Sequence, residues 1–244
     1  MKFRKTLGLL GSGLLAVSVM SSVSALADDY TYVNWSSATL SGSSPGSASG
    51  TMTVGSQNIT VNYTGDVAYS TQINNSGNNY YSGWPSVYTN AVVSNSPTNV
   101  DVITLQENPA FTDTLTFSTP LLNPILDIVS LGNGGEPVGY NFSATPVILS
   151  QGYAYWGGCS SCLTVSGNTL YGTEGSGVVE FVGSYSSITW TTSGNEYWNG
   201  FTVGVAGLGS TATPEPGTVV LFSTLLLLGS GPGALGFLRR RRAF

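Results

Sequence analysis

Apolar and polar residues alternate one by one, in segment after segment, through the middle of this 244-residue chain. Thr51-Met52-Thr53-Val54, Ile59-Thr60-Val61-Asn62-Tyr63, Thr114 to Ser118 and Phe201-Thr202-Val203-Gly204-Val205 all keep a period of two. Val100 to Leu105 and Val178 to Val182 keep it more loosely. A period of two places one set of side chains on a core and the other in water, which is a half-buried strand. No stretch sustains the i, i+3, i+4, i+7 spacing of an amphipathic helix over three turns. Gly, Asn, Ser and Pro clusters separate the strand-like runs at the spacing of a β-sandwich. The pattern predicts an all-β, antiparallel, jelly-roll-like sandwich over residues 28–205. No internal repeat with a fixed period appears, which argues against a propeller or solenoid.

Two other segments are not part of that fold. Lys2, Arg4 and Lys5 precede an uncharged apolar run from Thr6 to Met20. Ala25-Leu26-Ala27 then supplies the small-x-small pattern of a signal-peptidase site. Residues 1–27 read as a signal peptide, with Asp28 as the mature start; an uncleaved anchor is the alternative. At the other end, Gly217 to Leu238 is uncharged and mostly apolar. As a helix it would reach about 33 Å, against a hydrocarbon core of about 30 Å. Arg239, Arg240, Arg241 and Arg242 follow, and basic residues stay on the cytoplasmic side, so the preceding domain faces outward. Gly231-Pro232-Gly233 breaks the second half of this helix, as suits a temporary anchor. Residues 206–213 read as a linker.

Charge sorts along the same boundaries. All seven Lys and Arg residues lie in the two end segments, and there is no His. Residues 28–213 hold eleven of the twelve acidic residues, so the exported region carries eleven acids and no base. Nucleic acid is excluded as a partner, since nothing neutralises phosphate. Ser-His-Asp, Cys-His and Ser-Lys chemistry is also excluded, along with arginine clamps and His-ligated metals. A glycosidase built on two carboxylates needs only Asp and Glu. Spacing selects no pair among Glu107, Asp113, Asp127, Glu136, Glu174, Glu180 and Glu196. No cofactor is expected; calcium is the one whose oxygen chemistry suits an acid-only domain, but no loop motif for it is present.

Cys159-Ser160-Ser161-Cys162 is the one cysteine pair. No helix pattern follows it, as a thioredoxin-like site requires, and too few ligands remain for zinc. An exported chain meets an oxidising compartment, so a local disulfide that pins a loop is expected. Aromatic residues gather in three stretches: Tyr80, Tyr81, Trp84 and Tyr88; Tyr153, Tyr155 and Trp156; Trp190, Tyr197 and Trp198. Trp190 and Trp198 lie in strand-like runs and read as core or rim packing. Tyr80, Tyr81 and Trp84 lie in the polar stretch from Asn74 to Pro85 and are the candidates for stacking on a sugar ring.

Pro214-Glu215-Pro216, the apolar run from Gly217 and the closing arginines resemble the three parts of a PEP-CTERM sorting signal. The likeness covers about 30 residues, with residues 214–242 as the signal. The stretch from Ser187 to Gly204 is also similar to the last strands of exported domains that carry this signal. The resemblance implies a Gram-negative, polysaccharide-producing bacterium. It also implies processing near the tripeptide by an inner-membrane, exosortase-like enzyme, with a transient stay in the inner membrane. The expected function is a non-catalytic surface or matrix protein associated with extracellular polysaccharide. The alternatives are a carboxylate-dependent glycosidase or lyase, and a coat component without a ligand.

Overall fold

The computed structural model describes residues 27–106 and 111–209. Ala27 is the first described residue; Ala25, Glu107, residues 214–216 and residues 239–242, expected from the sequence to carry signal-peptide, acidic or sorting roles, lie outside the described residues. Among the described residues no helix is long and apolar enough to cross a membrane.

Two antiparallel sheets face each other. One has six strands in the order β1 (Thr31–Tyr32), β14 (Asn199–Val205), β7 (Ile125–Leu131), β12 (Gly175–Glu180) and β9 (Val147–Gln151), with β5 (Ile103–Leu105) also paired to β14. The other has nine strands. Its order is β10 (Leu163–Ser166), β11 (Thr169–Gly172), β8 (Val138–Phe142), β13 (Ser184–Ser193), β6 (Thr112–Leu122), β4 (Gln57–Gly65), β3 (Gly46–Val54) and β2 (Asn34–Thr39). The last described strand, β15 (Gly207–Leu208), pairs with Leu121 and Leu122 of β6, and the Gly209 N–H donates to Pro120 O at 2.8 Å. The fold therefore continues past residue 205 into what reads from sequence as the start of the linker.

The alternating segments become β3, β4 and β6, and their apolar faces point at the second sheet. Met52, Ile59, Val61, Tyr63, Leu115 and Phe117 are buried, while the residues between them are mostly exposed. Trp190 of β13 sits in this core, stacked on Tyr63 with ring centroids 5.8 Å apart and edge-on to Phe201 at 5.5 Å.

The six-stranded sheet departs from the expectation of one wet face. β7, β12 and β14 are buried along their whole length. The cause is a third layer. Residues 66–102, between β4 and β5, fold back over the outer face of this sheet with one helical turn, α1 (Pro85–Tyr88). Tyr81, Val87, Tyr88 and Val93 of the layer pack on Ile125, Val129 and Val178 of the sheet. Backbone bonds from Ala68 N to Thr104 O (2.8 Å) and from Gln72 N to Val102 O (2.9 Å) fix its two ends. Side chains supply further ties. The Asn95 amide exchanges two hydrogen bonds with the Tyr30 backbone, and Asp101 accepts from the N–H groups of Trp35 and Asn75. The polar stretch from Asn74 to Pro85 is thus a cover, with aromatic anchors turned inward.

Candidate functional site

Strand directions place the loops after β2, β4, β5, β7, β9, β11 and β13 at one end of the sandwich. The chain ends lie at the other, where Asp28, Asp29 and Gly207 border one shallow depression. The loop-rich end is therefore the one remote from both continuing termini, and it carries the aromatic residues.

Rings from all three aromatic stretches meet there. Tyr80 packs on Tyr155 (4.8 Å between centroids) and Trp198 (5.2 Å), and Trp84 packs on Tyr155 (5.5 Å). Trp156 closes the group against Tyr155 (5.0 Å) and Trp198 (5.7 Å). Most of these contacts are edge-to-face, the arrangement aromatic quadrupoles favour. Tyr80 is only 4% exposed and forms the floor. Trp156 is 54% exposed and Tyr197, which follows Glu196 at the rim, is 89% exposed.

The sugar-stacking candidates are redistributed accordingly. Tyr81 is wholly buried, edge-on to Tyr88 at 5.1 Å, and has no face to offer a ligand. Tyr80 supports the platform from below. Trp84 is half-buried at its edge. Trp198 is half-buried just before β14 begins at Asn199 and packs against the core at the rim, in keeping with its reading as core or rim packing. Trp156 and Tyr197, which the sequence did not put forward for stacking, are the most exposed of these rings, with Tyr155 also exposed.

Beside the platform lies a cleft of about 300 Å³, lined by Ser130, Asn133, Trp156, Glu174, Glu196, Tyr197 and Trp198. Its two glutamates come from separate turns joined through Gly132. The Gly132 N–H donates to Glu196 Oε2 (2.8 Å), while its carbonyl accepts from the Glu174 N–H (3.1 Å). Glu196 also accepts from Asn199 Nδ2 (2.8 Å), and Asn199 in turn accepts from the Tyr140 hydroxyl (2.6 Å). The Ser130 hydroxyl donates to Glu174 Oε2 at 2.5 Å. Gly132 cannot be replaced without strain. Its φ is +80°, and a Cβ there would lie 1.8 Å from Gly172 O.

Backbone strain concentrates at this cleft. Among the described residues, five non-glycine residues have left-handed φ, and three of them are asparagines, which tolerate it. The other two are Ser130 (φ 58°) and Glu174 (φ 57°), and both line the cleft. Such conformations persist where surrounding structure over-determines them, often at functional sites.

The aromatic rim is held locally. Ala154 and Gly157 exchange two backbone hydrogen bonds, so Tyr155 and Trp156 occupy the two corners of a tight turn. Cys159 and Cys162 are joined by a disulfide with Cα atoms 5.1 Å apart. The Cys162 carbonyl accepts from the Thr173 N–H (3.0 Å), which fastens this loop to the turn that presents Glu174. A second, wider depression of about 770 Å³ shares Glu196 and Tyr197 with the cleft and extends to Asp66, Tyr69, Gln106 and Phe111. It lacks a stacked aromatic floor.

One more acid is unusual. Asp127 of β7 lies under the covering layer, wholly buried, with neither carboxylate oxygen hydrogen-bonded. Burial raises its pKa far above the usual carboxylate range. Burial, reinforced by the negative charges of Glu180, Asp28 and Asp127, likewise pushes the Tyr30 hydroxyl up to about 12. Asp127 opens onto no cleft and reads as a neutral interior acid. Among the described residues no group of three His, Cys, Asp or Glu side chains converges on a metal position.

Comparison with protein-family models, with curated proteins and with solved structures finds no match.

Proposed function

We propose that this chain is an exported, non-catalytic surface or matrix protein whose loop-rich end binds extracellular polysaccharide. The observation that carries the reading is the aromatic platform and its polar cleft at the end remote from both termini. A domain tethered or released through its C-terminal side would present that end outward. Stacked rings flanked by Ser, Asn and Glu are the groups that hold a pyranose: C–H faces lie on the ring and hydroxyls bond to the polar atoms. Export through the inner membrane and sorting by an exosortase-like enzyme at Pro214-Glu215-Pro216 belong to the same proposal, resting on sequence likeness. A jelly-roll-like wiring belongs to it as well, supported by the alternation of the chain between the two sheets from β4 to β10 and again from β11 to β15.

Retention of the purified protein on immobilised polysaccharides, lost in Trp156→Ala, tests the binding. No retention on any neutral, basic or acidic glycan would overturn it. The rival reading, a carboxylate-dependent hydrolase or lyase, is favoured by one observation: Glu174 and Glu196 line the same cleft. Turnover of a polysaccharide that disappears in Glu174→Gln would establish the rival.

A further inference from the structure

We infer that the cleft recognises an organic ammonium group, carried on an amino sugar whose nitrogen is not acetylated. This rests on the polysaccharide reading and narrows it. Three observations converge. Trp156, Tyr197 and Trp198 put three aromatic rings around a space of about 300 Å³, large enough for a single monosaccharide unit. Glu174 and Glu196 add two carboxylates to the same walls. The surrounding region, residues 28–213, contains eleven acids and no base.

Aromatic faces attract cations through their quadrupole, and the attraction strengthens where water is partly excluded. A carboxylate completes the site by accepting the charge-assisted hydrogen bonds of an N–H group. The net field of the domain draws cations toward the cleft and repels acidic glycans. A neutral sugar would use the rings but bring no positive charge to Glu174. Ser130 and Glu174, both with left-handed backbone, line the cleft together, and the Ser130 hydroxyl donates to the Glu174 carboxylate. Glu174 and Trp156 are the residues that set the preference. Glu196, tied to the Gly132 N–H and to Asn199, positions the wall.

The test is titration of the full-length protein, followed by tryptophan fluorescence at about pH 6, where a primary amine is largely protonated. The probes are β-1,4-linked glucosamine trimer, its N-acetylated counterpart, the glucose trimer and choline. The expected result is binding of the glucosamine trimer at least about tenfold tighter than either other trimer. The preference should weaken as salt rises and vanish in Glu174→Gln. In Trp156→Leu, binding of the glucosamine trimer should be lost. Equal affinity for all three trimers would overturn the ammonium inference and leave the polysaccharide reading standing. Binding of choline without any trimer would show that the ammonium comes from another source, and the polysaccharide reading would fall. Binding of none would remove both.

Discussion

The chain uses the same residue types for opposite purposes in its interior and at its rim. Trp190 and Tyr63 stack at 5.8 Å in the core between the sheets, sealed from water. Trp156 and Trp198 meet at 5.7 Å on the loop-rich end, with Trp156 half in solvent. Ring contacts alone do not separate the two groups. Strand membership does. Trp190 lies on β13 with its ring on the inner face, whereas Trp156 sits at the corner of a tight turn that no sheet encloses. An exposed aromatic cluster held by a disulfide and braced turns is a surface that the fold spends order to maintain.

The sharpest way to test this division is a pair of substitutions. Trp190→Ala removes a ring from a closed core, so it should cost about 3–5 kcal/mol of folding stability. Trp156→Ala should change stability by less than about 1 kcal/mol, because half the ring is already in water. Urea unfolding of both variants measures the difference. Similar losses would mean that the rim is part of the core.

Gly132 joins the two regions, and its substitution should be next in size. Gly132→Ala forces a Cβ against the Gly172 carbonyl at a left-handed φ, with an expected loss of about 2 kcal/mol or more. It should also loosen both glutamates of the cleft, since each bonds to Gly132. A variant with wild-type stability would show that the two turns are not locked together.

Much of the sandwich is legible in the sequence, and little of the site is. Period-two segments such as Ile59 to Tyr63 announce strands with one dry face. The same period cannot reveal that β14 is dry on both faces, because the covering comes from residues 66–102. That stretch is rich in Asn, Ser and Gly and reads as a solvated loop, while its anchors, Tyr81 and Tyr88, are spaced without period. The platform was hidden for a different reason. Tyr80, Tyr155 and Trp198 are far apart in sequence and meet only because the loops after β4, β9 and β13 leave the sandwich at one end. The strain at Ser130 and Glu174 has no sequence signal, since neither residue type favours a left-handed backbone. The Cys159–Cys162 bond is legible, because the two cysteines lie three residues apart and the sequence holds too few further ligands for zinc.

That disulfide should have a moderate effect, felt at the rim more than in the core. Its ring is short, so in the chain-entropy account it contributes about 2 kcal/mol or less, against nearly 5 for a loop of about 100 residues. Replacing both cysteines with serine should lower stability within that bound. The larger consequence should be at Trp156, whose turn the disulfide loop fastens to Thr173 and the Glu174 turn. Binding at the loop-rich end should weaken more than stability does. Loss of stability without loss of binding would place the disulfide in the service of the core.

A last effect belongs to the interior acid, and it depends on pH. Burial raises the pKa of Asp127 in the folded chain, and in the same direction those of Asp101 and Glu180. In the unfolded chain these carboxyls lose their protons near about pH 4. Above that pH the folded state holds more protons than the unfolded one, so stability falls as pH rises. The contribution is fully present below the unfolded value and is withdrawn progressively up to the raised folded value. The surplus of acids over bases acts in the same sense, since self-repulsion grows as carboxyls ionise. The domain should therefore be most stable in mild acid, with its urea midpoint declining from about pH 4 toward neutrality. Asp127→Asn cannot ionise. It should match the wild type at about pH 4 and unfold at higher urea than the wild type near about pH 7. Tyr197→Ala, a change at the rim, should leave the slope as it is. Parallel pH profiles for wild type and Asp127→Asn would mean that Asp127 reaches water in the folded protein, and that the covering layer over β7 is not closed.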